Sequence, residues 1–129
     1  MKSTTPTDAL NRWIETANRA NADALSGLYD PNATLIPTFS NRVLSRPTDI
    51  RAYFEQLCSR ERLHVTLHER TVRVQMHGEA LCSIHGLYCW HFAVEGELLA
   101  FEARFSYLIN LAAAAPILHH HSSQIPRML

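Results

Sequence analysis

Apolar residues in the first thirty positions recur with the period of a helix. Leu10, Trp13, Ile14, Ala17, Leu25 and Leu28 fall on one face, with alanines between them. Thr5-Pro6-Thr7-Asp8 reads as the start of that helix. Thr5 caps, Pro6 suits the first helical position, and Asp8 sits where a capping-box partner reaches back. A break is expected near Asn21, and Tyr29-Asp30-Pro31-Asn32 reads as a stop and turn. Residues 33–36 form a short strand ended by Pro37, and a polar, loop-like segment runs on to Pro47. Thr48 is then expected to cap a second helix, whose stripe is Ile50, Tyr53, Phe54 and Leu57.

Beyond residue 60 the period changes to two. Residues 63–76 alternate through Val65, Leu67, Val72 and Val74, and His77-Gly78-Glu79 makes a turn. Residues 80–94 follow as a strand, Glu95-Gly96-Glu97 turns the chain again, and residues 98–111 make a third long strand. A shorter strand over residues 117–123 ends the pattern. Helices first and then a meander of antiparallel strands specify an α+β domain with the helices packed on one face of the sheet. Such a sheet twists and curls around its helices. Its concave interior is the default place for a pocket.

Composition narrows the partners. The 129 residues make one domain, 1–129, and 47% apolar residues are enough for a core that needs no disulfide or metal. Twelve basic and twelve acidic residues cancel, and no Lys/Arg run appears, which argues against nucleic acid and against an anionic membrane surface. The apolar runs fall far short of the roughly 18–20 residues that cross a bilayer. The first ten residues lack the apolar segment of a signal peptide, so a cytoplasmic location is expected. Cys58, Cys82 and Cys89 are odd in number and contain no Cys-x-x-Cys, which reads as reduced, partly buried thiols. No Ser-His-Asp elbow, phosphate loop or dinucleotide fingerprint is present, and no cofactor is expected.

The run His119-His120-His121 lies inside a strand-like segment. His119 and His121 share one face of that strand, and zinc there would need a third ligand, which His85 or His91 could supply only from a strand alongside. Histidines hydrogen-bonded within the sheet or at a subunit interface are the preferred reading, and no metal is expected.

Several segments in order resemble one family. Tyr29-Asp30-Pro31 with Thr34, then Arg51-Ala52-Tyr53-Phe54-Glu55-Gln56-Leu57, Ala103-Arg104-Phe105 and His119-His120-His121-Ser122-Ser123 are similar to the association domain of calcium/calmodulin-dependent protein kinase II. They are more similar still to its free-standing bacterial relatives, the SgcJ/EcaC and SnoaL-like group. The resemblance implies the nuclear transport factor 2-like cone, a curved antiparallel sheet wrapped around N-terminal helices with one pocket. It also implies a homodimer, or a larger ring, assembled through the outer sheet face. The kinase hub holds a carboxylate with arginines; one matches Arg104, while the others would fall at Gly86 and Ser122, and an aromatic pocket residue would fall at Cys58.

With Arg104 pointing inward, as the resemblance implies, strand alternation fills the pocket with Arg104, Glu102, Tyr88, Trp90 and His120. A slip of one residue would exchange the two faces. Two functions follow. The first is a homodimeric domain binding a small molecule, possibly a carboxylate, in the cone. The alternative is an acid–base enzyme of the ketosteroid isomerase or polyketide cyclase type, with His120 or Glu102 as base and Tyr88 or Arg104 as donor. Arg104 beside Glu102 would keep that carboxylate ionised, which leaves His120 as the better base.

Overall fold

The computed structural model describes residues 5–126. Helix α1 (Pro6–Asn18) begins as its sequence dictates, with Thr5 accepting from the Asp8 amide and Pro6 in the first turn. It is followed by α2 (Ala22–Ser26), capped by Asn21, whose side chain accepts from the Ala24 amide. Then come β1 (Tyr29–Ile36), α3 (Pro47–Cys58), β2 (His64–Leu67), a 3-10 turn (Glu69–Thr71), β3 (Arg73–Met76), β4 (Leu81–Val94), β5 (Glu97–Asn110) and β6 (Ile117–Gln124). This is an α+β cone. No helix among the described residues is long and apolar enough to cross a membrane.

Three local readings need correction. Strand β1 starts at Tyr29, so Asp30 and Pro31 lie in an irregular stretch of strand, where the register to β6 shifts, rather than in a turn. Helix α3 starts at Pro47 with Arg46 at the cap position, so Thr48 is already inside the helix. The alternating segment 63–76 is two short strands split by the Glu69–Thr71 turn. That turn is fixed by Thr71, whose hydroxyl donates to the His68 carbonyl (2.7 Å) and accepts the Leu87 amide of β4 (2.8 Å).

The sheet order is β1-β6-β5-β4-β2, with β3 paired to the other half of the same β4 edge. All pairings are antiparallel except β1 with β6. Turn residues Glu95 and Gly96, both at positive φ, close the β4–β5 hairpin. One face of the sheet is apolar and packs on the helices. Cys82, Ile84, Tyr88, Trp90 and Phe92 supply it from β4, and Ala103, Phe105, Tyr107 and Ile109 from β5. Trp13 of α1 inserts at the centre, stacked on Tyr88 (5.7 Å between centroids) and edge-on to Trp90, Tyr107 and His120. Asn18 at the end of α1 holds the helix in place by exchanging two hydrogen bonds with the Val65 backbone, at 2.7 and 3.0 Å.

Candidate ligand site

The register between β4 and β5 decides which side chains enter the cone. Residues directly opposite one another point to the same side of a sheet. Gly86 pairs with Phe105, Tyr88 with Ala103 and Trp90 with Phe101, whereas Leu87 pairs with Arg104 and Cys89 with Glu102. Arg104 and Glu102 therefore lie on the outer face, both exposed. Their expected place in the pocket is corrected: the apolar set Phe101, Ala103, Phe105, Tyr107 and Ile109 turns inward, and burying it forces the even-numbered residues out. Tyr88, Trp90 and His120 do enter the interior together.

The positions that a second and third arginine would occupy have been put to other use. A Cβ on Gly86 would stand 3.0 Å from both the Phe105 ring and the Thr71 hydroxyl, so Phe105, stacked on Tyr88 at 4.7 Å, fills that space. Ser122 is buried and hydrogen-bonds Thr38. Cys58 is half-buried at the end of α3.

A directional hydrogen-bond chain runs through the interior. The Trp13 indole can only donate, so its Nε1–H gives to the Tyr29 oxygen (3.0 Å). The Tyr29 proton is then free to go to Nδ1 of His120 (2.7 Å), and the neutral ring carries its hydrogen on Nε2, which donates to the Tyr88 oxygen (3.2 Å). The Ser122 and Thr38 hydroxyls stand beside that phenol. His120 is 2% exposed, with Tyr107 stacked on its ring at 3.9 Å. Burial, and then the neighbouring His119 and His121, push its basicity well below the ordinary imidazole range. Burial likewise raises the Tyr29, Tyr88 and Tyr107 phenols, so all three stay protonated near neutral pH. His120 thus lacks the near-neutral titration that would have made it a ready base. Trp90 Nε1 and the Tyr107 hydroxyl lie near the Tyr88 phenol without reaching hydrogen-bond geometry, so both are buried without a partner.

The open space lies one layer further out, between α3, the loop 37–46 and the end of β4. This cleft measures about 660 Å³. The loop is tied down by a two-way backbone bridge between Leu35 and Leu44 (2.8 Å each) and by the Phe39 amide donating to the Tyr53 hydroxyl (3.3 Å). Phe39 points into the cone, edge-on to Trp90, Phe92 and Phe101, and separates the cleft from the buried chain. Phe39, Tyr53 and Phe92 give the cleft an aromatic floor, with Arg42 and Arg60 among its lining residues. The Arg60 guanidinium sits over the Phe92 ring at 5.4 Å. Of the lining carboxylates, Glu55 is already engaged by Arg51 (2.9 Å), which also bridges to Asp23 of α2.

The sequence reading passed over this cleft. Along the sequence Tyr53 belongs to a helix stripe, and Arg42 and Arg60 flank a loop and a helix end with no motif to mark them. On the outer face, Glu102 is hydrogen-bonded by His68 Nε2 (2.8 and 3.0 Å), which holds its carboxyl below the usual range, with Cys89 as the next contributor. The lowering has the expected direction, but its cause is His68 rather than Arg104. Among the described residues, no three His, Cys, Asp or Glu side chains are grouped as a metal site would need.

With this geometry in view, the comparisons place the chain. The SnoaL-like domain family matches residues 7–128. A putative calcium/calmodulin dependent protein kinase II association domain from Xanthomonas campestris superposes with a TM-score of 0.83 at 22% identity, over 98% of this chain and 96% of that one. An NTF2-like protein with a cystatin-like fold from Novosphingobium aromaticivorans gives 0.73 at 12% identity, over 94% and 80%. A ketosteroid isomerase-like protein from Erwinia carotovora atroseptica gives 0.73 at 10% identity, over 94% of each. At these identities the three structures show a shared fold. A search of curated proteins found no match.

Proposed function

Because the chain belongs to the SnoaL-like domain family, we propose that it is a homodimeric domain that binds a small, flat, acidic organic molecule in the cleft beside α3. The observation that carries this reading is the division of the cone into a closed inner layer and an open outer one. The inner layer is filled by Trp13, Tyr88, Trp90, Tyr107 and His120, whose rings pack on one another. The outer layer has the size of a small-molecule site, roughly 300–1,000 Å³. Its aromatic floor would stack a planar ligand, and Arg42 and Arg60 would take an anionic group. A carboxylate remains the favoured anion, held by these two side chains and not by Arg104.

A general base has to reach the proton it removes. His120 is enclosed, has both ring nitrogens hydrogen-bonded and is only weakly basic. That favours binding over catalysis. The Tyr29–His120–Tyr88 chain supports the acid–base reading only where Phe39 withdraws and exposes it.

A panel of small aromatic carboxylates screened by thermal shift, followed by calorimetry, tests the proposal. Binding should weaken about tenfold in Arg60→Ala and in Phe92→Ala, the loss of one good charge-assisted or stacking contact. Unchanged affinity in both variants would place the ligand elsewhere. Deuterium exchange at carbons next to the carbonyl of a bound ketone, lost in His120→Gln, would favour the enzyme instead.

A further inference from the structure

The cleft beside α3 does not end at Arg60. A second cavity of about 710 Å³ adjoins it, between the end of α3 and the tip of the β4–β5 hairpin. Gln56, Ser59 and Arg60 line both cavities, so the two meet along the last turn of the helix. The rest of the second wall is Glu61, residues 93 and 94 at the end of β4, and the turn residues Glu95 and Gly96. The Ala93 amide donates to the Glu61 carbonyl (2.9 Å), which ties the segment after α3 to the hairpin.

The two chambers differ in charge. In the first, Arg42 and Arg60 outweigh the carboxylates: Glu55 is held by Arg51, and Asp49 sits in the first turn of α3, where helix amides favour a negative charge. Arg60 turns its guanidinium to this side, over Phe92, which lines the first chamber and not the second. The charged groups left to the second chamber are the Glu61 and Glu95 carboxylates. Neither side chain has a hydrogen bond or ion pair among the described residues. Val94, exposed beside Glu95, adds an apolar wall.

Glu95 also holds its place against the preference of its turn. It stands at φ 52° and Gly96 at φ 81°. A two-residue hairpin turn with both φ positive favours Asn, Asp or Gly at the first place, because longer side chains are strained in the left-handed region. A glutamate there serves the hairpin less well than Asn would, but it sets a carboxylate on the chamber wall.

We propose that the second chamber is the amine-binding half of the site, so that the ligand is amphoteric: a flat aromatic acid that carries a primary amine on an aliphatic arm. The inference rests on the reading above and names the other end of the molecule. The ring and its carboxylate occupy the first chamber, the arm passes Ser59 along Val94, and the ammonium lies between Glu61 and Glu95. An ammonium has three donors and can serve both carboxylates through charge-assisted hydrogen bonds. Opposite charges at the two ends also fix which way the molecule lies, since a reversed ligand meets like charge at both.

Calorimetry at neutral pH and low salt is the test, with benzoates bearing a para aminopropyl or aminobutyl arm, each beside its propyl or butyl counterpart. At least one amine should bind about tenfold more tightly than its alkyl counterpart. Glu61→Gln with Glu95→Gln should remove that advantage; an advantage that survives the double substitution would put the amine elsewhere. Alkyl benzoates that bind in an Arg60-dependent way, with no gain from either amine, would overturn the amine site and leave the reading above standing. No binding by any of the four overturns both. Glu95→Asn, which suits the turn, should raise the urea midpoint while cutting the amine's advantage several-fold. A midpoint that does not rise would show that Glu95 serves the hairpin, and would overturn its role toward a ligand.

Discussion

The two faces of one sheet treat the same side chain in opposite ways. On the inner face His120 is sealed between Tyr29 and Tyr88, fully hydrogen-bonded and held neutral by burial. On the outer face His68, just past the end of β2 and three strands along the sheet, is exposed and bound to a carboxylate. The first makes the interior specific, since each polar atom of the chain from Trp13 to Tyr88 selects its neighbour. The second makes the surface responsive to solvent. What separates them is the single-residue alternation of a strand, so one sequence run, His119-His120-His121, serves both purposes.

The largest effect should come from the inner face. Trp13 touches Tyr88, Trp90, Tyr107 and His120 and also starts the hydrogen-bond chain. Trp13→Ala should lose about 3–5 kcal/mol in urea denaturation, the range for deleting a buried large ring. A loss under about 1 kcal/mol would show that the cone is not organised around this residue.

Much of this face was legible beforehand, and the reason one part was misread is instructive. The helix start at Thr5-Pro6, the break at Asn21, the hairpin at Glu95-Gly96 and the entry of Tyr88, Trp90 and His120 into the core all follow from local chemistry and strand alternation. Arg104 is the exception, because likeness to a carboxylate-binding hub points it inward whereas the apolar pattern Phe101, Ala103, Phe105, Tyr107, Ile109 turns it out. Burial of five apolar side chains sets a strand's facing more strongly than one aligned cation. The split of residues 63–76 was hidden for another reason. It depends on Thr71 bonding across to Leu87, a contact between segments that no local period encodes. The cleft depends in the same way on three segments meeting, and its residues carry no mark of that along the chain.

A smaller effect should follow from breaking the chain without removing packing. Tyr29→Phe keeps the ring on Phe54 and His120 but deprives the Trp13 indole and His120 Nδ1 of their partner. A loss of about 1–3 kcal/mol is expected, the penalty for buried groups left unsatisfied. A neutral result would mean that the two groups find other partners.

The next test separates the faces by pH. His120 stays neutral when folded but takes a proton once unfolded, where imidazole titrates near 6.5. Below that value the unfolded chain binds the extra proton, so stability falls as pH drops, by up to about 1.4 kcal/mol per pH unit for this one group. His119, lowered by burial and by His121, adds a lesser slope of the same sign. Urea midpoints between pH 7 and 5 should therefore decline, and His120→Gln should flatten the curve. An equally steep decline in that variant would assign the acid sensitivity to the outer histidines.

The smallest effect belongs to the outer pair. Glu102 and His68 are both about half exposed, at 48% and 43% of their side chains, where water screens the attraction. Glu102→Gln should cost about 0.2–1 kcal/mol near pH 6 and less in high salt. The sign is fixed by the depressed carboxyl: its contribution is present above the ordinary carboxylate range and fades as pH falls through the lowered value. Measured on the monomer, the change should be several-fold smaller than that of Tyr29→Phe. An effect as large as that on the inner face would mean that exposed Glu102 and buried Cys89, which face each other across β4 and β5, form a structural unit of their own, and the contrast between a specifying inside and a responsive outside would fail at that point.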